Sequence, residues 1–226
     1  VTALLFVRLG LLRTSSATAA VLFSTMIFLT GGIIGTTHHL YFTGTPNSMV
    51  AWGAMFSALE VVPLAIIGYE AYQTYSLRKP QTWVTRYHWA IMFFVATAFW
   101  NLFGAGMLGF LINTPIALYF IQGLNTTATH GHGAFMGVYG NLGIGLMLFC
   151  LVGITKGVGW NDKPLKWAFW SVNIGLMAMI LMSLLPIGLI QFAASVEHGY
   201  WFARSPELMQ GEWVQSLVWG RVFGDI

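Results

Sequence analysis

Charged residues are scarce in this sequence. Asp, Glu, Lys and Arg make up only 8% of the 226 residues, whereas 57% are hydrophobic. A soluble domain carries about 25% charged residues, so this composition excludes an ordinary soluble protein and predicts an integral membrane protein. The net charge of +3 does not indicate a nucleic-acid partner, because the basic residues lie in short stretches between apolar segments.

Cysteine is nearly absent as well, since Cys150 is the only one. A single cysteine excludes an internal disulfide framework and gives no indication of the redox compartment. No cleavable signal peptide is evident: residues 1–12 are apolar, but they contain Arg8 and lack a charged start and a cleavage site. Because the sequence begins with Val1 and stops within an apolar stretch at Ile226, we expect a fragment cut at both ends.

Long apolar segments dominate the chain. A membrane-spanning helix needs roughly 20 apolar residues, and the sequence predicts five full spans at about 18–41, 48–75, 87–112, 126–154 and 166–196, with a truncated sixth from near Gln210. The stretch 116–154 would be ~58 Å long as one helix, too long for a bilayer, so we expect a break at 123–125 after a short interfacial helix. The predicted fold is all-α, a polytopic transmembrane helix bundle forming one domain over residues 1–226.

Loop charges predict the orientation. If the spans alternate, eight basic residues fall on one side, and Arg204 lies in a loop on the opposite side. The positive-inside rule makes the eight-charge side cytoplasmic. These eight residues are Arg8, Arg13, Arg78, Lys79, Arg86, Lys156, Lys163 and Lys166.

Two histidine pairs lie inside the apolar segments. His130 and His132 are about 200° apart on a helix, so each could bind a separate flat cofactor on its own face. His38 and His39 end the first span, where a frayed helix end could bring both imidazoles to one ion. Both pairs are predicted to lie ~5–9 Å below the outer boundary, where ionisable groups are costly and usually functional. The plainer alternative is that they form hydrogen bonds with neighbouring helices.

Other polar residues have two interpretations each. Glu60 is about eleven residues, ~17 Å, into the second span and close to the midplane. A carboxylate there indicates proton or metal chemistry, or else a protonated side chain bonded to a neighbouring helix. Arg204 could pair with haem propionates, although an isolated interfacial arginine is common. Asn101 and Asn173 are expected to form hydrogen bonds between helices.

Three stretches carry a resemblance to a known family. HHLYFTG (residues 38–44) followed by HGH (130–132) resembles the haem–copper oxidase superfamily. SALEVVPLAIIGYEA (57–71) and THGHGAFMGVYG (129–140) resemble its nitric oxide reductase branch, and are closest to the single-chain, quinol-dependent type. The likeness covers nearly the whole chain and corresponds to the later half of the catalytic subunit.

The resemblance implies a role for each site residue. His38 and His39 would be two ligands of a non-haem iron. His130 would be the axial ligand of a high-spin, b3-type haem, and His132 an axial ligand of a low-spin haem b on the opposite helix face. Glu60 would lie beside the binuclear site. The third iron-binding histidine and the second low-spin axial ligand would come from earlier helices, in a missing N-terminal half of the same subunit.

The resemblance also implies an activity and a location. The expected reaction is the reduction of nitric oxide to nitrous oxide with electrons from quinol, in a bacterial inner membrane with the haem-ligand end toward the periplasm. Cytochrome c is the alternative electron donor. An oxygen-reducing terminal oxidase with copper at His38 and His39 is the nearest rival, and a haem-free proton-coupled transporter is a rival of another class.

Overall fold

The computed structural model describes residues 7, 13–19, 21–22, 25–26, 36–40, 42–59, 61–62, 65–66, 69, 72, 85–155 and 159–225. Within these ranges the regular structure is helical throughout, with no β-strand. Its main α-helices are α1 (Asn47–Ala58), α2 (His88–Asn113), α3 (Pro115–Ile121), α4 (Asn125–Ile154), α5 (Asp162–His198), α6 (Pro206–Met209), α7 (Glu212–Trp219) and α8 (Val222–Asp225), and short 3-10 helices lie at Thr36–Leu40 and Phe202–Arg204.

The helices α2, α4 and α5 are long and apolar enough to cross a membrane. They coincide with the third, fourth and fifth predicted spans, so the prediction of an all-α membrane bundle is confirmed. The first two predicted spans lie largely outside the described residues. The total of five spans and a truncated sixth therefore stays a prediction.

The backbone conformations of Thr114 and Gly123 separate α2, α3 and α4. Thr114 is extended (φ −61°, ψ 132°) because a residue before proline avoids the helical region, and this separates α2 from α3. Gly123 has φ +72°, a conformation that suits glycine, and it lies between α3 and α4. The predicted break at 123–125 is confirmed, since α3 ends at Ile121 and α4 begins at Asn125.

The helix α5 begins earlier than the predicted residue 166. The side chain of Asn161 accepts a hydrogen bond from the Lys163 N–H at 3.1 Å, which caps the first turn. The negative charge of Asp162 lies at the positive end of the helix dipole, which also stabilises this turn. Charged residues that were expected to form a loop therefore form the first turn of the helix. The helix ends before Gly199, whose φ is +96°.

A shared core joins α2, α4 and α5, with Phe93 and Trp100 of α2, Leu148 of α4, and Phe169 and Ile180 of α5 all buried. Each of these helices contains a π-helical segment, at Asn101–Met107, Gly133–Gly140 and Ile180–Leu184. A π-helical segment absorbs an extra residue, so it turns one part of the helix by about 100° relative to the other. Each π-helical segment therefore sets the directions of the side chains before it relative to those after it.

Candidate metal centre

His130, near the start of α4, is held by the neighbouring helix α2. Its Nδ1 lies 2.9 Å from the carbonyl oxygen of Gly104. A carbonyl oxygen can only accept, so Nδ1 carries the proton and donates, and Nε2 of the neutral ring keeps its lone pair. The ring also packs against Gly109, where an added Cβ would lie 3.0 Å from His130 Cε1. The imidazole is thus fixed in the tautomer and orientation that a metal ligand requires.

His132 is held differently. Its Nδ1 lies 2.8 Å from the carbonyl oxygen of Ala128, one turn earlier in α4. By the same reasoning Nδ1 donates and Nε2 is left as the electron-pair donor. His130 is therefore oriented by another helix and His132 by its own helix, so the two rings are positioned independently. That they serve two different haems stays a prediction.

The His38–His39 pair lies in the 3-10 helix Thr36–Leu40, so the expected departure from regular α-helical geometry is present. The two ring centroids are 4.1 Å apart, with an angle of 38° between the ring planes. The buried hydroxyl of Thr37 donates to the carbonyl oxygen of Met49 in α1 at 2.6 Å and fixes the short helix in place. Two imidazoles lie side by side at this point.

The structure connects the two histidine pairs through α1 and α2. The 3-10 helix of the first pair is bonded to α1, α1 is bonded to the end of α2 through Ser57 and Asn113 at 3.1 Å, and His130 packs against Gly109 of α2. That the two pairs share one cavity stays a prediction.

The arrangement of the histidines fits haem better than it fits a metal ion bound only by protein side chains. Within the described ranges no three side chains of His, Cys, Asp or Glu gather closely enough to hold a metal ion. Haem iron needs only one imidazole on its proximal side, and His130 and His132 each present one oriented Nε2. His38 and His39 provide two donors of a type that suits iron or copper, an incomplete set for a non-haem metal.

Glycine brings α2 and α4 into backbone contact beside His130. Gly104 and Gly133 are both buried and both lie in π-helical segments. A Cβ added to Gly133 would lie 2.8 Å from Gly104 Cα, so neither position has room for a side chain. Because His130 bonds to the carbonyl of the same Gly104, this contact sets the distance across which that hydrogen bond forms.

Hydrogen bonds from α5 and from the segment after it hold the start of α4 and the residues before it. Arg204 is exposed and donates to the Tyr200 hydroxyl at 2.8 Å, and that hydroxyl donates to the Gln122 carbonyl at 2.5 Å. The buried side chain of Gln191 accepts from the Asn125 N–H at 2.9 Å, which caps α4. Arg204 therefore lies near the start of α4, and its role toward a propionate stays a prediction.

Several functional neighbours were missed from the sequence. Gly104 and Gly109 were not identified from the sequence, yet Gly104 bonds His130 and Gly109 packs against its ring. The expectation for Asn173 is confirmed, because its Oδ1 accepts a hydrogen bond from Trp100 Nε1 at 2.8 Å across helices. The same expectation for Asn101 is not met, since its side chain forms no hydrogen bond in the part of the chain that the structure describes. Glu60 lies outside the described residues, so its predicted place beside the site is untested.

Comparison with known proteins identifies a matching family and a similar protein. The family model described as Cytochrome C and Quinol oxidase polypeptide I matches residues 1–226. The B subunit of nitric oxide reductase from Stutzerimonas stutzeri is 31% identical over 165 residues, which cover 71% of this chain and 34% of that protein. The chain thus spans about a third of the length of this curated relative.

Proposed function

The chain belongs to the cytochrome c and quinol oxidase polypeptide I family, the haem–copper oxidases, and from this we propose that it is the haem-ligand-bearing part of a nitric oxide reductase. The reaction joins two NO molecules with two electrons and two protons, giving one nitrous oxide and one water. The observation that carries the proposal is the oriented pair His130 and His132 in a chain similar to part of a nitric oxide reductase.

Each histidine has a defined task in this proposal. His130 holds the high-spin, b3-type haem and His132 the low-spin haem b, while His38 and His39 bind the non-haem iron. These groups, when bound, would carry electrons from the donor and provide the positions at which NO binds. Donation from His130 Nδ1 to Gly104 makes Nε2 a stronger base and fixes the ring plane. The Ala128 carbonyl does the same for His132.

The remaining ligands are proposed to come from a part of the same subunit outside these 226 residues. The surface of α4 supports this, because less of α4 is buried than of the other two long helices. The buried share of the most apolar part is 28% in α4, 50% in α2 and 44% in α5. Phe135 and Tyr139 of α4 are 73% and 66% exposed. A helix that carries both axial ligands and remains so uncovered has room for cofactors and further helices against it. Activity is therefore assigned to the full-length subunit.

The donor and the orientation belong to the proposal as well. Quinol is the proposed electron donor, with cytochrome c as the alternative. The protein is a multi-pass membrane protein, proposed to lie in a bacterial inner membrane with the histidine end toward the periplasm. The basic residues in the loops on the other side support this orientation through the positive-inside rule.

An oxygen-reducing terminal oxidase is the second candidate, and the description of the matching family favours it. In that case His38 and His39 would bind copper, which imidazole also suits. The 31% identity with part of a nitric oxide reductase favours NO as the substrate. Family membership also disfavours the haem-free transporter considered from the sequence.

The test is made on the purified full-length subunit. We expect a pyridine haemochrome spectrum of b-type haem, iron rather than copper by metal analysis, and faster quinol-driven consumption of NO than of oxygen. Copper together with faster oxygen consumption would establish the oxidase instead. A protein without haem would contradict both redox functions.

Replacing Glu60 with glutamine tests the proposed carboxylate. At mid-bilayer depth a functional glutamate must gain and lose a proton or face a cation, and glutamine keeps its size but cannot titrate. We expect Glu60→Gln to lower NO turnover by at least about ten-fold with haem content unchanged. A glutamate that only packs would give the reverse: normal turnover in Glu60→Gln, and an unstable Glu60→Ala.

A further inference from the structure

A buried polar network joins the three long helices below the histidines. The indole Nε1 of Trp100 in α2 donates to Oδ1 of Asn173 in α5 at 2.8 Å. Asn173 and Asn141 of α4 exchange two amide hydrogen bonds, each of 3.2 Å. Trp100 and Asn141 have almost no exposed surface. One side chain from each of the three helices therefore meets at a single point.

Every N–H hydrogen of this network is used. Asn141 also donates to the carbonyl oxygen of Gly137 at 2.8 Å, and Asn173 to that of Phe169 at 2.8 Å. Two hydrogens on each amide and one on the indole give five donors, and each has a partner. The two carbonyl partners can only accept, which fixes the orientation of both amides. Fully satisfied buried networks of this kind specify one arrangement of the helices.

The network ends on the π-helical segment that follows the histidines. Gly137 lies inside the segment Gly133–Gly140, and Asn141 is the first residue after it. A π-helical turn leaves a backbone carbonyl without its usual donor, and in a membrane no water is present to replace that donor. The side chain of Asn141 provides the donor for the Gly137 carbonyl. The indole of Trp100 closes the side of the segment, since a Cβ on Gly137 would lie 2.6 Å from Trp100 Cγ.

We propose that Asn141 is a positioning residue for both haem ligands, because its bond to the Gly137 carbonyl holds the π-helical segment that aims His130 and His132. If the segment relaxed to an α-helix, the part of α4 that carries the histidines would turn by about 100° relative to Asn141. The hydrogen bond from His130 to Gly104 cannot survive that rotation. Asn141 acts from nine residues beyond His132, across the whole π-helical segment. The inference rests on the proposed haem ligation.

The chain offers variants that separate the hydrogen bond from side-chain volume. Asn141→Leu fills similar space without a donor, and Asn141→Ala removes the donor where leucine is not accommodated. Asn141→Ser restores a donor, because a hydroxyl in a helix can bond the carbonyl four residues earlier, as Thr129 does with Asn125 at 2.7 Å. Thr97→Val is the matched control: Thr97 is buried one turn before Trp100, and its hydroxyl donates to the Phe93 carbonyl of its own helix.

The experiment uses the full-length subunit and reads the haems directly. We expect Asn141→Leu and Asn141→Ala to retain haem but to shift the low-spin g-values in electron paramagnetic resonance and the haem reduction potentials. NO turnover should fall by about ten-fold. Asn141→Ser and Thr97→Val should keep the wild-type spectrum and potentials.

Unchanged spectra and potentials in both donor-free variants would overturn the proposal. Equal shifts in Thr97→Val would overturn it too, because they would show a general response to core substitution. Loss of haem in both donor-free variants with full retention in Asn141→Ser would support it. A wild type that binds haem without reducing NO would contradict only the proposed substrate, since the spectral comparison still applies. A wild type without haem would contradict both.

Discussion

His130→Ala in the full-length subunit is expected to abolish NO turnover and to remove the high-spin haem, while the low-spin haem remains. His132→Ala is expected to remove the low-spin haem and quinol-driven electron entry, while NO still binds at the high-spin site. The reason is that the two rings are held by separate partners, His130 by Gly104 of α2 and His132 by Ala128 of α4. The loss of one imidazole therefore leaves the other in place, and axial ligation fixes each haem.

The measurement is the optical and paramagnetic resonance spectrum of each variant, together with NO consumption. His198→Ala is the matched control, because His198 is an exposed histidine at the end of α5 and outside the candidate site. It should resemble the wild type. If His130→Ala or His132→Ala folded as the wild type does, by thermal denaturation, but lost both haems equally, the assignment of one haem to each histidine would be wrong.

The membrane environment explains why much of the fold could be predicted. Backbone groups in a bilayer must bond within their own segment, so long apolar runs are helices. This constraint predicted α2, α4 and α5, and it predicted the break before Asn125 because a bilayer has limited thickness. The start of α5 at Asp162 was predicted less well, since the capping by Asn161 was not recognised and the charged residues that follow it were assigned to a loop.

Only the histidines of the candidate site could be predicted from the sequence. Paired histidines in apolar segments stand out because they are costly there, and this pointed to His38, His39, His130 and His132. The partner of His130 could not be predicted, because Gly104 contributes a carbonyl oxygen that every residue type possesses. Which helix faces His130 depends on tertiary packing, and no local sequence pattern encodes it.

The π-helical segments could not be predicted from sequence periodicity either. A pattern of apolar residues at 3.6-residue spacing assumes a regular helix, and each of the three long helices departs from it at an inserted residue. Asn141 is the residue that follows one such departure, and its side chain bonds the carbonyl of Gly137 inside the π-helical segment. Its partner Asn173 lies in a regular α-helical part of α5. A polar residue in an apolar helix therefore does not by itself predict an irregular backbone.

The contact between Gly133 and Gly104 predicts the second large effect. We expect Gly133→Leu to prevent the approach of α2 and α4 and so to lose both haems, because its Cβ alone would lie 2.8 Å from Gly104 Cα. The obstacle is backbone, which cannot rotate away as a flexible side chain can. Gly133→Ala should be intermediate, since overpacking by one methyl group costs about 1–3 kcal/mol of stability.

Gly143→Leu and Gly143→Ala are the matched controls on the same helix. A Cβ added to Gly143 meets nothing within 4 Å in the part of the chain that the structure describes, and replacing glycine within a helix otherwise favours the helix by about 1 kcal/mol. The measurements are haem content per subunit and the midpoint of thermal denaturation. We expect a steep loss from the wild type through Gly133→Ala to Gly133→Leu, and little change in either variant of Gly143. Equal haem content in Gly133→Leu and Gly143→Leu would show that the α2–α4 contact does not set the geometry of His130.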